Sequence, residues 1–170
     1  MANPLIQLGF EIPFDQIEAA QVEPAIDALL ARAQAAIDSV ASNAQPRTYA
    51  NTLDALEEAT EMLERASTVV GHLESVATTD ALRVAYNATR PKVSAFWSAL
   101  AMNEGLYQAV RAFAETDEAA SLPPTESRFL KKTLDDFRRH GAELDASDKA
   151  CLLYTSPSPR DWIWHLVCRL

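Results

Sequence analysis

Thiols and imidazoles are scarce in this chain of 170 residues, which holds two cysteines, three histidines and four glycines. Both cysteines, Cys151 and Cys168, and one histidine, His165, fall in the last twenty positions. Met1 to Ala150 is therefore cysteine-free, which excludes a disulfide framework, a thiolate metal site and a cysteine nucleophile there, and is compatible with a reducing compartment. No glycine-rich phosphate loop, no Gly-x-Ser-x-Gly elbow and no His-Glu-x-x-His pair occurs. No apolar run is long enough to span a bilayer, and the N-terminus has no charged leader followed by an apolar stretch. The expectation is a soluble, cytoplasmic product that does not bind membrane.

The last twenty residues read differently from the rest. Residues 151–161, Cys-Leu-Leu-Tyr-Thr-Ser-Pro-Ser-Pro-Arg-Asp, back-translate without a mismatch to a transposon adapter used in sequencing libraries. Residues 165–170 back-translate to a sequence resembling the flow-cell primer that follows a sample barcode, and Trp162 to Trp164 fill the barcode's place. The bland alternative is a genuine apolar tail, but two adapter segments in the right order and frame argue against it. We expect two parts: 1–150 as an incomplete native helical region and 151–170 as an adapter-derived tail outside any fold argument.

What remains is acidic. The tail holds two arginines and one aspartate, so removing it takes 15 basic and 24 acidic residues to 13 and 23, a net charge of −10. Such a field repels phosphate backbones and anionic lipid surfaces, so neither nucleic acid nor membrane is an expected partner.

Residues 1–20 scatter Leu5, Ile6, Leu8, Phe10, Ile12 and Phe14 among Pro4, Gly9 and Pro13 without helical spacing. They read as an extended arm that needs something to pack on. From Pro24, suited to a first helical position, Ile26, Leu29, Leu30, Ala33, Ile37 and Val40 keep a three-four rhythm that ends near Ser42 and Asn43. A second helix after Thr48 carries Leu53, Leu56, Ala59, Leu63, Ala66, Val70 and Leu73 on one stripe. Thr78, Thr79 and Asp80 offer capping oxygens to a third, with Leu82, Tyr86, Val93, Phe96, Trp97 and Leu100 inward. Pro91 is expected to kink or divide that helix, because proline lacks the backbone donor and collides with the preceding turn.

Asn103 and Gly105 mark a joint before a short fourth segment with Leu106, Tyr107, Val110 and Phe113. Ser121-Leu122-Pro123-Pro124-Thr125 breaks the chain ahead of a fifth helix with Phe129, Leu130, Leu134 and Phe137 on one side. Arg138, Arg139 and His140 suit its carbonyl end, and Gly141 its left-handed stop. Asp145 to Ser147 reads as the cap of a sixth helix. No strand pattern or internal repeat is present, so the expected fold is all-α, a bundle of antiparallel helical hairpins with an extended N-terminal arm.

Each chemical constellation has a plain structural reading. His72 lies beside the second helix's stripe without a carboxylate or histidine one turn away, which makes it a packed, partly buried side chain. His140 reads as a helix-end cation. Neither forms the Glu-x-x-His pair of di-iron bundles. Glu57, Glu58, Glu61 and Glu64 read as a solvated flank, with Glu61 and Arg65 spaced for a supporting pair. Lys131, Lys132, Arg138 and Arg139 are offset by Asp135 and Asp136 along their own helix. No catalytic, cofactor-binding or metal residue is assigned.

Several segments occur in order: Asn3-Pro4-Leu5, Ile12-Pro13-Phe14-Asp15, Val22-Glu23-Pro24-Ala25-Ile26, Asn51-Thr52-Leu53, His72-Leu73-Glu74-Ser75-Val76 and Leu82-Arg83-Val84-Ala85-Tyr86. Gly105-Leu106-Tyr107-Gln108-Ala109, Leu134-Asp135-Asp136-Phe137-Arg138 and Gly141-Ala142-Glu143-Leu144 follow. Together they resemble the N-terminal region of the zinc-dependent oligopeptidases of the oligopeptidase A and thimet oligopeptidase family. The similarity is nearest to the bacterial oligopeptidase A and dipeptidyl carboxypeptidase branch.

The resemblance implies a helical wall of a channel that admits short, unfolded peptides. It also implies zinc in the complete enzyme, held by a His-Glu-x-x-His helix and a downstream glutamate that this chain does not contain. The expected partners are then the rest of the parent chain and, in the complete enzyme, short peptides. The chain alone is expected to hold no cofactor and to have no peptidase activity. The alternative is a free-standing helical module that binds a partner protein.

Overall fold

The computed structural model describes residues 3–144. The sixth helix expected from Asp145 and the adapter-like tail lie outside the described residues. Among those described, the chain is all-α, with six helices and no strand. They are α1 (Ala19–Ser42), α2 (Ala55–Val76), α3 (Asp80–Ala101), α4 (Glu104–Ala114), α5 (Asp117–Ala120) and α6 (Pro124–Arg139). The chain divides into two compact units. One comprises the residues up to Asn43 with Leu53–Val93, the other Ala44–Thr52 with the residues from Ser94 onward.

In the first unit, α1 and α2 pack together and the N-terminal arm lies against both. Val22, Ile26, Leu29, Ala33, Ile37 and Val40 of α1 are buried, as are Leu63, Ala66 and Val70 of α2, so the three-four stripes do form the core. Burying each large aliphatic side chain contributes about 1.5–3 kcal/mol before ordering costs. Glu74 pairs with Arg83 at 3.8 Å, and the ring of Tyr86 lies 3.9 Å from where a Cβ on Gly71 would sit. These two pairs run in opposite senses along α2 and α3, so the helices form an antiparallel hairpin, joined through Ala77 to Thr79. Thr79 caps α3 as expected, its hydroxyl accepting from the Leu82 N–H at 3.2 Å.

Three boundaries depart from the expectations. Helix α1 starts at Ala19, so Pro24 sits inside the helix and not at its first position. The reason is local: the Glu18 N–H donates to the Gln21 side-chain oxygen at 2.9 Å, and the Gln21 N–H to the Glu18 carbonyl at 2.9 Å. These bonds close a first turn before proline is reached. Of the two effects expected of Pro91, division does not occur: α3 runs unbroken from Asp80 to Ala101. The arm is not simply extended either, since Pro4–Ile6 and Phe14–Gln16 each form a 3-10 turn. Asn3 caps the first of these, accepting from the Leu5 N–H at 3.0 Å and donating to the Gln21 carbonyl at 2.7 Å.

The second unit is built on α4 and α6. Leu106, Tyr107, Val110 and Phe113 of α4 are buried, as are Leu130, Thr133 and Phe137 of α6. Tyr107 and Phe137 meet with ring centroids 6.2 Å apart, and Tyr49 meets Phe113 edge-on at 6.1 Å. Asn103 caps α4, accepting from the Leu106 N–H at 2.9 Å. The short α5 was not anticipated; Thr116 caps it, accepting from Ala119 at 3.2 Å. Helix α6 begins at Pro124, inside the stretch expected only to break the chain, because a proline at the first helical position forfeits no helical hydrogen bond.

Candidate functional site

The entrance to α2 is held by a reciprocal pair. The Thr48 N–H donates to the Asn51 side-chain oxygen at 3.0 Å and the Asn51 N–H to the Thr48 hydroxyl at 3.2 Å. The Asn51 amide also donates to the Pro46 carbonyl at 2.8 Å. The turn that follows, Ala50–Asp54, is a wide π turn. It places the adjacent side chains Thr52 and Leu53 both out of solvent. Asn51 thus organises backbone and is not presented to a ligand.

His72 is exposed, not partly buried as expected, and its ring lies 5.8 Å from that of Phe14 on the arm. The stripe of α2 turns away from it: Val69 and Val70 are buried while His72 rides on the outer side. His140 does end α6. Its Nδ1 lies 2.7 Å from the Asp136 carbonyl oxygen, which can only accept, so this nitrogen carries the hydrogen. Gly141 follows with φ of 80°, the Ala142 N–H donates to the Phe137 carbonyl at 2.9 Å, and the Gly141 N–H to that of Arg138 at 3.0 Å. This double bond pattern is the Schellman stop.

The glutamates of α2 do not converge on a cation site. Glu61 pairs with Arg65 at 3.8 Å as its spacing predicts. Glu64 departs from a purely solvated flank: burial pushes its carboxyl above the usual carboxylate range, and Glu57 and Glu61 push it the same way. On α6, Arg138 pairs with Asp135 at 3.6 Å and Arg139 with Asp136 at 3.4 Å, so the charges compensate along the helix. Among the described residues, no group of three or more His, Cys, Asp or Glu side chains could hold a metal ion. Nor is any helix among them long and apolar enough to cross a membrane.

Two polar constellations were not legible in the sequence because their members lie far apart in it. Lys92 on α3 reaches Asp27 at 2.7 Å and Glu23 at 2.9 Å on α1. In the second unit the buried Tyr107 hydroxyl donates to Glu143, to which Arg138 also comes within 3.7 Å. Neither sets a nucleophile beside a base. Both fasten helices, and the second holds the chain just past the α6 stop.

The arm carries the third feature. Leu5 and Leu8 are buried, and the Arg65 guanidinium donates to the Gly9 carbonyl at 2.6 Å. Directly after this tether Phe10 is 102% exposed, while Ile6 and Phe14 are partly exposed, at 38% and 42%.

With this architecture established, comparison with known proteins identifies its relatives. The family model of the neurolysin/thimet oligopeptidase N-terminal domain matches residues 26–149. Oligopeptidase A of Salmonella typhimurium is 33% identical over 144 residues, covering 85% of this chain and 21% of that protein. Oligopeptidase A of Escherichia coli is 32% identical over 145 residues, again 85% of this chain and 21% of the relative. Dipeptidyl carboxypeptidase of Salmonella typhimurium is 26% identical over 154 residues, 88% of this chain and 23% of that protein. The chain spans about a fifth of the length of these curated relatives. The described residues form a helical array, and with the family model matched over most of its length this chain belongs to the neurolysin/thimet oligopeptidase family, residues 26–149 corresponding to the family's N-terminal domain.

Proposed function

We propose that this chain is the N-terminal, channel-wall region of a cytoplasmic zinc oligopeptidase that hydrolyses short peptides, and that by itself it has no peptidase activity. The observation that carries the reading is the family match over residues 26–149 joined to the coverage of only about a fifth of oligopeptidase A. The reaction and its metal then belong to the part of the enzyme this chain does not span. The described helices contribute a wall that excludes folded proteins, together with the fastened helix ends that keep the wall rigid. The family match ends at residue 149, next to the segment that can be back-translated as an adapter, which supports treating 151–170 as foreign.

Two measurements test this. The 170-residue product is assayed for zinc content and for cleavage of a quenched short peptide; stoichiometric zinc or real turnover would sink the proposal. An uninterrupted read of the gene past the Ala150 codon is expected to continue in frame and to encode His-Glu-x-x-His. A stop codon soon after Ala150 would instead favour a free-standing helical module that binds a partner protein.

A further inference from the structure

The outward side of the arm is at odds with the rest of the first unit. Leu5 and Leu8 are withdrawn from water, Asn3 is bonded to the Gln21 carbonyl of α1, and Arg65 of α2 grips the Gly9 carbonyl. The backbone on the N-terminal side of Phe10 is therefore fixed at three points. A loosely held arm would fold its phenylalanine back onto the nearest apolar surface; this one is held so that Phe10 stands entirely in solvent, with Ile6 before it and Phe14 after it on the exposed side. Phe14 is steadied by the ring of His72 at 5.8 Å. Large aromatic side chains dominate the energetics of interfaces, and a Phe10 held on a fixed backbone is suited to that role.

Two observations specify the occupant. The chain covers about a fifth of the length of its oligopeptidase A relatives, so most of the molecule that could cover this surface lies outside it. Glu11 and Asp15, both exposed, follow Phe10 and Phe14 directly in sequence. The cover is then an apolar groove with basic side chains at its edge. From this geometry we infer that Phe10, flanked by Ile6 and Phe14, is the anchor by which this region seats on the remainder of its own enzyme, in an apolar, cation-edged groove of the part not spanned here. The inference rests on the oligopeptidase reading above and adds to it the surface through which the wall is attached.

The test compares the 170-residue chain with the longer product of the uninterrupted gene, using hydroxyl-radical footprinting read by mass spectrometry. Buried Phe113 serves as the internal standard. Phe10 is expected to oxidise rapidly in the short chain and to slow to the rate of Phe113 in the longer product. In parallel, Phe10→Ser is expected to leave the melting temperature of the short chain unchanged, since the side chain touches nothing there, and to lower that of the longer product. An active peptidase in which Phe10 oxidises as fast as in the short chain would overturn the anchor and leave the proposed function standing. A longer product without any peptidase activity would overturn the proposed function itself. Concentration-dependent dimers of the short chain that Phe10→Ser abolishes would assign the surface to a second copy and overturn the anchor.

Discussion

The ammonium of Lys92 lies 2.7 Å from Oδ1 and 2.9 Å from Oδ2 of Asp27, and the same nitrogen is 2.9 Å from Oε1 of Glu23. Glu23 and Asp27 are one turn apart on α1, so a single cation on α3 answers both. The hydrogen bonds to Asp27 and then Glu23 hold Lys92 above the usual lysine range. A cation whose folded value is raised stabilises the fold fully below the ordinary lysine value and loses that contribution as pH rises through the folded one. Lys92→Met is therefore expected to lower the melting temperature at neutral pH, with the gap from wild type closing in strongly alkaline buffer. Melting curves across that range check it; a gap independent of pH would mean that the lysine's aliphatic stem, and not its charge, does the fastening.

Local signals foretold most of the helices but not what joins them. The stripe from Ile26 to Val40 and the stop at Gly141 obey rules that act within a few residues, and the structure keeps both. Pro24 does not open α1, because Glu18 and Gln21 begin the helix ahead of it. His72 misled because a residue beside an apolar stripe can lie on either side of its edge, and only the seating of Phe14 shows which. The Lys92 and Tyr107 clusters join positions 65, 69 and 36 apart, a separation at which no periodicity carries information. The exposure of Phe10 could not be read either: the bonds that fix the arm, Arg65 to Gly9 and Asn3 to Gln21, join residues 56 and 18 positions apart.

Glu64 offers a gain in stability. Its carboxyl is half-buried on α2 and is pushed up by burial first, then by Glu57 and Glu61. A carboxyl with a raised folded value destabilises while ionised, and the penalty disappears as pH falls through that value. Glu64→Gln is expected to raise the melting temperature at neutral pH and to have little effect in mild acid, where the native side chain has taken up its proton. A stabilisation of equal size in both buffers would point to packing of the amide and against relief of charge.

Gly141 is the one described residue with a positive φ, 80°. A Cβ there meets the following carbonyl, at a cost of about 1–2 kcal/mol. Gly141→Ala is expected to destabilise the second unit by that amount in urea unfolding, while Gly141→Asn, which tolerates the left-handed region better, costs less. Equal costs for the two variants would show that space around the residue, and not its backbone angle, is the constraint.

Tyr107 and Glu143 form the last pair, and the cost of breaking it depends on which side is removed. Tyr107 is 1% exposed, so its hydroxyl has no water to turn to, whereas Glu143 is open to solvent and also has Arg138 nearby. Tyr107→Phe leaves a carboxylate that water solvates and forfeits only the net value of one hydrogen bond, about 0.5–1.5 kcal/mol. Glu143→Ala strands a buried donor and costs about 1–3 kcal/mol, the desolvation of that group. Once the hydroxyl is gone, the carboxylate has little left to contribute. The double variant is therefore expected to be no less stable than Glu143→Ala alone, and closer to Tyr107→Phe. Urea unfolding of all four proteins closes the cycle. Additive losses would show that the two side chains act separately and that Glu143 holds the chain beyond α6 through Arg138 instead.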